Sequence, residues 1–138
     1  MIQNRTAPGF GYFFDLFHRK IEALIRRVTC KRKPKKILVC MLYFLDITPG
    51  GSWADPTLSS LGYDSNPAKL QCVIRTLFDA IKEKGFDVGS VNVEPFPLFE
   101  ILDGKNTKDY CQRVEPSVEG GKKMGYALFN ALLGVHND

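Results

Sequence analysis

The chain has 138 residues, 44% of them apolar and 25% charged, and a net charge of +4. This is the ordinary composition of one small globular domain; the charge is too mild for a basic surface throughout, and the apolar fraction too high for a disordered chain. Residues 1–9 are polar and no apolar stretch reaches the ~20 residues of a membrane-spanning helix, so neither a signal peptide nor a span is expected and a cytoplasmic protein is.

In chain order, residues 1–9 carry no cap and no periodicity and read as a disordered start. Phe13, Phe14, Phe17, Ile21, Leu24, Ile25 and Val28 then recur at steps of three and four, which predicts one apolar stripe on a helix of four to five turns. His18 lies beside that stripe and reads as a boundary histidine, since no second ligand or base stands at helical spacing from it. Next comes CKRKPKK. Lys31, Arg32, Lys33, Lys35 and Lys36 form a basic patch that reads first as a solvated helix-to-strand connection, closed by Pro34. A nuclear-localisation or phosphate-binding role is the second reading, and nucleic acid is not favoured as a partner because no aromatic platform is interleaved.

Lys36–Asp46, KILVCMLYFLD, is an almost unbroken apolar run of the kind that forms a buried parallel strand. The long connection after it, Ile47–Ser65, is rich in turn formers. At this length it is expected to be functional or locally structured, with Trp53 and Tyr63 folding it against the body. Gly50-Gly51-Ser52 lacks the lysine of a phosphate loop. Asn66-Pro67 begins the clearest helix, with Leu70, Val73, Ile74, Leu77, Phe78 and Ile81 inward and Gly85 as its stop. A short second strand is predicted at Ser90–Glu94, ended by Pro95 and Pro97. In the irregular stretch that follows, Glu100, Asp103 and Asp109 read as solvated acids rather than as an acid–base set. Ser117 is a plausible N-cap for a last helix with Met124, Leu128, Ala131 and Leu132 inward. Residues 135–138, with His136, form a frayed tail. The four cysteines (Cys30, Cys40, Cys72, Cys111) lack CxxC spacing, so no metal, no cofactor and no disulfide framework is expected. Cys40 and Cys72 read as small core residues.

Three segments, Lys36–Asp55, Asn66–Gly85 and Arg113–Leu128 (RVEPSVEGGKKMGYAL), together resemble the C-terminal half of an SGNH hydrolase (GDSL-type esterase or lipase) domain over roughly residues 10–134. The resemblance implies an α/β fold with a three-layer, flavodoxin-like parallel sheet, here incomplete, and an ester or small-molecule ligand. In the family an Asp-x-x-His-Pro loop precedes a glycine and a Lys-Met-bearing helix. Pro116, Gly120 or Gly121, and Lys123-Met124 fall where that pattern puts them. The histidine's place is taken by Glu115 and the aspartate's by Gln112. A carboxylate with an ordinary pKa near ~4 cannot relay serine's proton as an imidazole does. The serine block and the glycine and asparagine of the oxyanion hole have no counterpart here, so the resemblance implies a fold without a working esterase. Ser52 and Ser117 do not sit on a strand-to-helix elbow with a histidine partner. Trp53, Tyr63 and Tyr110 are the candidates for ligand contact in the two loops, with loop packing the favoured role for each. Two strands where such a domain has about five imply a chain that needs a partner to complete its sheet.

Overall fold

The structure, a computed structural model, describes residues 8–134. The fold is mixed α/β, with one small parallel and one small antiparallel sheet. Its described residues form two compact units, one drawn from residues 8–40 and 75–96, the other from residues 41–74 and 97–134. The expected disordered start lies outside the described residues over 1–7, as does the tail 135–138 with His136. Gly9, with φ 85°, is the N-cap of the first helix.

In the first unit a helical run comprises α1 (Phe10–Asp15), a π turn (Leu16–Lys20) and α2 (Ile21–Val28). The π turn adds one residue to the helical repeat and rotates everything after it. The predicted single stripe is therefore split: Ile25 is buried, whereas Leu24 and Val28 are exposed. The rotation brings His18 inside. Its ring is stacked between Phe14 and Phe86, and Nε2 lies 2.6 Å from the Gly85 carbonyl oxygen. Glu22 accepts from the Asp87 backbone N–H, and Arg26 bonds Glu22 and Asp87. The parallel sheet pairs β1 (Lys36–Cys40) with β2 (Asn92–Phe96).

Both strands differ from expectation. The run 36–46 stops being a strand at Cys40, because β2 ends at its partner Phe96; beyond that point the backbone finds isolated partners instead, Phe44 N–H to Leu102 and Asp46 N–H to Arg113. Pro95 lies inside β2, opposite Val39, which a proline can do in a sheet this narrow because every strand is an edge.

In the second unit the long connection contains a helix, α3 (Asp55–Ser60), with proline in its first turn. Ala54, Leu58 and Tyr63 form a buried cluster there, packed by Leu45, Ile47, Leu70 and Val114. Phe44 stacks on Phe99 at 5.2 Å between centroids. The second helix predicted from sequence is α4 (Pro67–Lys84), which belongs to this unit as far as Ile74 and to the first unit from Arg75 on, with Gly85 just past its end in the left-handed region. Its Ile74, Leu77, Phe78 and Ile81 are buried, while Val73 is exposed.

A two-stranded antiparallel ladder, β3 (Tyr110–Cys111) with β4 (Glu115–Pro116), precedes α5 (Val118–Leu133). Ser117 caps α5 as predicted: its Oγ accepts from Gly120 N–H, and Gly134 ends the helix at φ 69°. The predicted inward face of α5 is only half covered. Met124, Leu128 and Ala131 are half-buried and Leu132 is exposed, because α5 meets the unit chiefly through its first turns, where Gly120 lies against Asp109. None of the four cysteines forms a disulfide and all four are exposed, so Cys40 and Cys72 are not the core residues expected; Cys40 ends β1 on the side opposite buried Val39. Among the described residues no helix is long and apolar enough to cross a membrane.

Candidate functional site

A cavity of about 150 Å³ opens in the second unit between residues 46–52 and residues 107–113. Its floor is set by Arg113, one of the few buried polar residues and only 4% exposed. The guanidinium donates from Nε and Nη2 to the Asp46 carbonyl oxygen, at 3.3 and 3.2 Å. Nη1 donates to Asp55 Oδ1 at 2.7 Å and Nη2 to Asp64 Oδ1 at 2.8 Å. One side chain thus ties the end of the apolar run, the start of α3 and the turn before α4. The Arg113 hydrogen bond, with a backbone N–H from Ser52, holds the Asp55 carboxyl below the ordinary aspartate range.

The turn that carries Arg113 is strained. Gln112 and Arg113 both have positive φ, 49° and 65°, in a three-residue connection between β3 and β4. Two consecutive side-chain-bearing residues in the left-handed region cost about 1 kcal/mol each or more, and persist only where surrounding contacts impose them. Here the contacts are visible. Ser52 Oγ donates to the Gln112 carbonyl oxygen at 2.5 Å, and Trp53 N–H donates to Gln112 Oε1 at 3.2 Å. Asp46 N–H donates to the Arg113 carbonyl.

The aromatic candidates are placed differently from one another. Tyr63 is 1% exposed and its hydroxyl donates to the Leu45 carbonyl, so it packs the connection against the core. Tyr110 lines the cavity but uses its hydroxyl internally, donating to Phe44 O and accepting from Gly104 N–H, both at 2.8 Å. Burial pushes its phenol well above the ordinary value, which keeps that proton in place. Trp53 is 66% exposed beside Ser52. Gln112 lines the cavity; Glu115, exposed in β4, lies outside its lining.

The RVEPSVEGGKKM segment acts as a clasp. Ser117 donates from N–H to Asp109 O and from Oγ to Lys108 O, while Lys123 Nζ pairs with Asp109 Oδ2 at 2.7 Å. Asp109 is 3% exposed and not the solvated acid that its loop setting suggests; Asp103 remains paired with Lys105 and Glu100 is exposed. Of the basic patch, Lys31, Arg32, Lys33 and Lys35 are exposed, whereas Lys36 lies in β1 and pairs with Glu94 at 2.9 Å.

Sequence reasoning did not single out Asp46, Thr48, Thr107 or Arg113. One signal was available for Asp46: a carboxylate that ends a nine-residue apolar run is carried to the edge of the core by the residues before it. Arg113 gave no signal, because one more cation in a basic chain looks solvated. Among the described residues no group of three or more His, Cys, Asp or Glu side chains could hold a metal ion. No family model, curated protein or solved structure matches the chain.

Proposed function

We propose that the chain is the C-terminal portion of an SGNH-hydrolase-like domain, organised around a parallel sheet, that binds a small ligand without hydrolysing it. The observation that carries this reading is the cavity itself. It is built from two segments that each follow a parallel strand in the chain, and such segments are where α/β proteins place their sites. Its strained turn, over-determined by Ser52, Asp46 and Arg113, suits a preorganised binding loop.

The chemistry around the cavity supports binding over acyl transfer. Ser52 Oγ donates to a backbone carbonyl and Ser117 Oγ caps α5, so neither hydroxyl faces a base. His18, the histidine of the described residues, bonds Gly85 in the other unit. Purified protein is expected to release no nitrophenol from short-chain nitrophenyl esters above the buffer rate. Turnover that Glu115→Ala abolishes would instead make Glu115 a working base and end the non-hydrolytic reading.

A second reading uses the basic segment. Lys31, Arg32 and Lys35 are exposed and have no acidic partner among the described residues, which leaves three cations for an anionic partner. Such binding would weaken steeply with salt, whereas binding in the cavity would respond little.

A further inference from the structure

The positive charge of the chain is gathered in one stretch of the first unit. Residues 8–36 hold nine lysines and arginines against two acids, Asp15 and Glu22, a net charge of +7 where the whole chain carries +4. Both acids are already answered, Asp15 by Arg19 and Glu22 by Arg26. Lys20, Arg27, Lys31, Arg32, Lys33 and Lys35 are exposed and have no acidic partner among the described residues. The same stretch carries apolar side chains that folding leaves uncovered. Leu24 and Val28, one turn apart on α2, are 53% and 68% exposed, and Lys20 and Arg27 stand at helical spacing from Leu24 on that face. The chain runs from the end of α2 straight into the basic segment, and Tyr12 and Phe13 are exposed further up the same helical run.

Charge and apolar surface together select the partner. A second copy of this chain would set like charges against one another on this face. Nucleic acid would use the cations through its phosphates but leave the aliphatic pair in water. A bilayer that contains anionic phospholipid answers both features. Its phosphates and carboxylates meet the cations, its headgroup–acyl boundary takes the aliphatic side chains, and the long lysine and arginine stems lie between the two. We propose that α2 and the basic segment 31–35 dock the chain on an anionic phospholipid surface. Leu24 and Val28 enter the boundary, and Lys20, Arg27, Lys31, Arg32, Lys33 and Lys35 face the headgroups. This assignment deepens the second reading above and rests on it, and it is independent of the cavity.

The test is flotation of the full 138-residue chain with two kinds of vesicle, phosphatidylcholine alone and phosphatidylcholine with about one-third phosphatidylserine, beside a titration with a labelled single-stranded oligonucleotide. Binding is expected to the phosphatidylserine vesicles and not to phosphatidylcholine alone, and it should weaken as salt is raised. Lys31→Gln and Arg32→Gln should each weaken it about fivefold, and the double variant Leu24→Gln/Val28→Gln about tenfold. Circular dichroism should be unchanged, since all four side chains are exposed. If the oligonucleotide binds and the phosphatidylserine vesicles do not, the lipid assignment falls while the anionic-partner reading stands. If neither binds, both fall. Where both bind, the double variant decides: it should lose the vesicles and keep the oligonucleotide, and equal loss of the two would overturn the lipid assignment. Equal binding to the two kinds of vesicle would overturn the role of the cations, and vesicle binding untouched by the double variant would overturn that of the apolar pair.

Discussion

Arg113 concentrates more of the local structure in one side chain than any other residue of the site. It is 4% exposed and answers two carboxylates and a carbonyl from three separate segments. Replacing it with methionine keeps most of the volume but strands Asp46 O and leaves two acids unpaired. Removing the buried guanidinium leaves its partners unpaired, so Arg113→Met should lower the urea midpoint; an unchanged midpoint would show that the network is not stabilising. The same pair makes stability depend on pH. Asp55, held below 3.8 first by the Arg113 hydrogen bond, is more acidic folded than unfolded. Its contribution is therefore complete above the ordinary aspartate range and is lost as pH falls through the lower folded value. Glu22, lowered by the Asp87 backbone N–H, Glu94, lowered by Lys36, and Asp103, lowered by the Lys105 backbone N–H, act in the same direction. Urea midpoints should fall between about pH 5 and pH 2, and Asp55→Asn should make that fall shallower. A slope identical to that of the parent protein would remove Asp55 from the linkage.

The junction between the 107–109 turn and α5 shows how an element is placed by a single missing side chain. A Cβ on Gly120 would overlap the backbone carbonyl of Asp109, which is fixed by its bond from Ser117 N–H; a Cβ on Gly121 meets nothing within 4 Å. Gly120→Ala should thus destabilise by roughly 3 kcal/mol or more, since backbone cannot step aside as a flexible side chain can. Gly121→Ala should be neutral or stabilising by up to about 1 kcal/mol through helix propensity. Thermal melts of the two variants decide it, and equal melting temperatures would refute the close-approach argument. The pattern of glycines was legible from sequence, but which one was needed was not, because the close approach is tertiary. The same division runs through the other elements. α4 and α5 were readable from their periodicity and their end signals, Pro67 and Gly85, Ser117 and Gly134. The π turn was not, because one inserted residue leaves apolar spacing looking nearly regular while moving Leu24 and Val28 outward and His18 inward. α3 was hidden among turn formers, and its Asp55-Pro56 start reads equally well as a loop. The cavity could be anticipated only as two loops; the Arg113 network depends on contacts about sixty residues apart.

For the chain as a whole, the tension lies between an apolar strand sequence and the little that covers it. Lys36–Cys40 reads as a strand buried on both faces, yet only Val39 is buried, with Ile37 and Leu38 half-covered. In a two-stranded sheet each strand also leaves one edge of backbone N–H and C=O groups unpaired. The edges are not equivalent. β2 contains Pro95, which weakens it as a template, whereas β1 has no proline. A further strand would therefore add beside β1, and the exposed Tyr126, Phe129 and Leu133 of α5 show that uncovered apolar surface is not confined to the sheet. The purified chain is expected to associate with increasing concentration, with a light-scattering mass above that of one chain. Leu38→Lys, which places a charge on the open strand, should shift it towards monomer while its circular dichroism is kept. A compact, protease-resistant monomer with slowly exchanging amides along β1 would show that the sheet is sufficient as it stands, and the need for a completing partner would be gone.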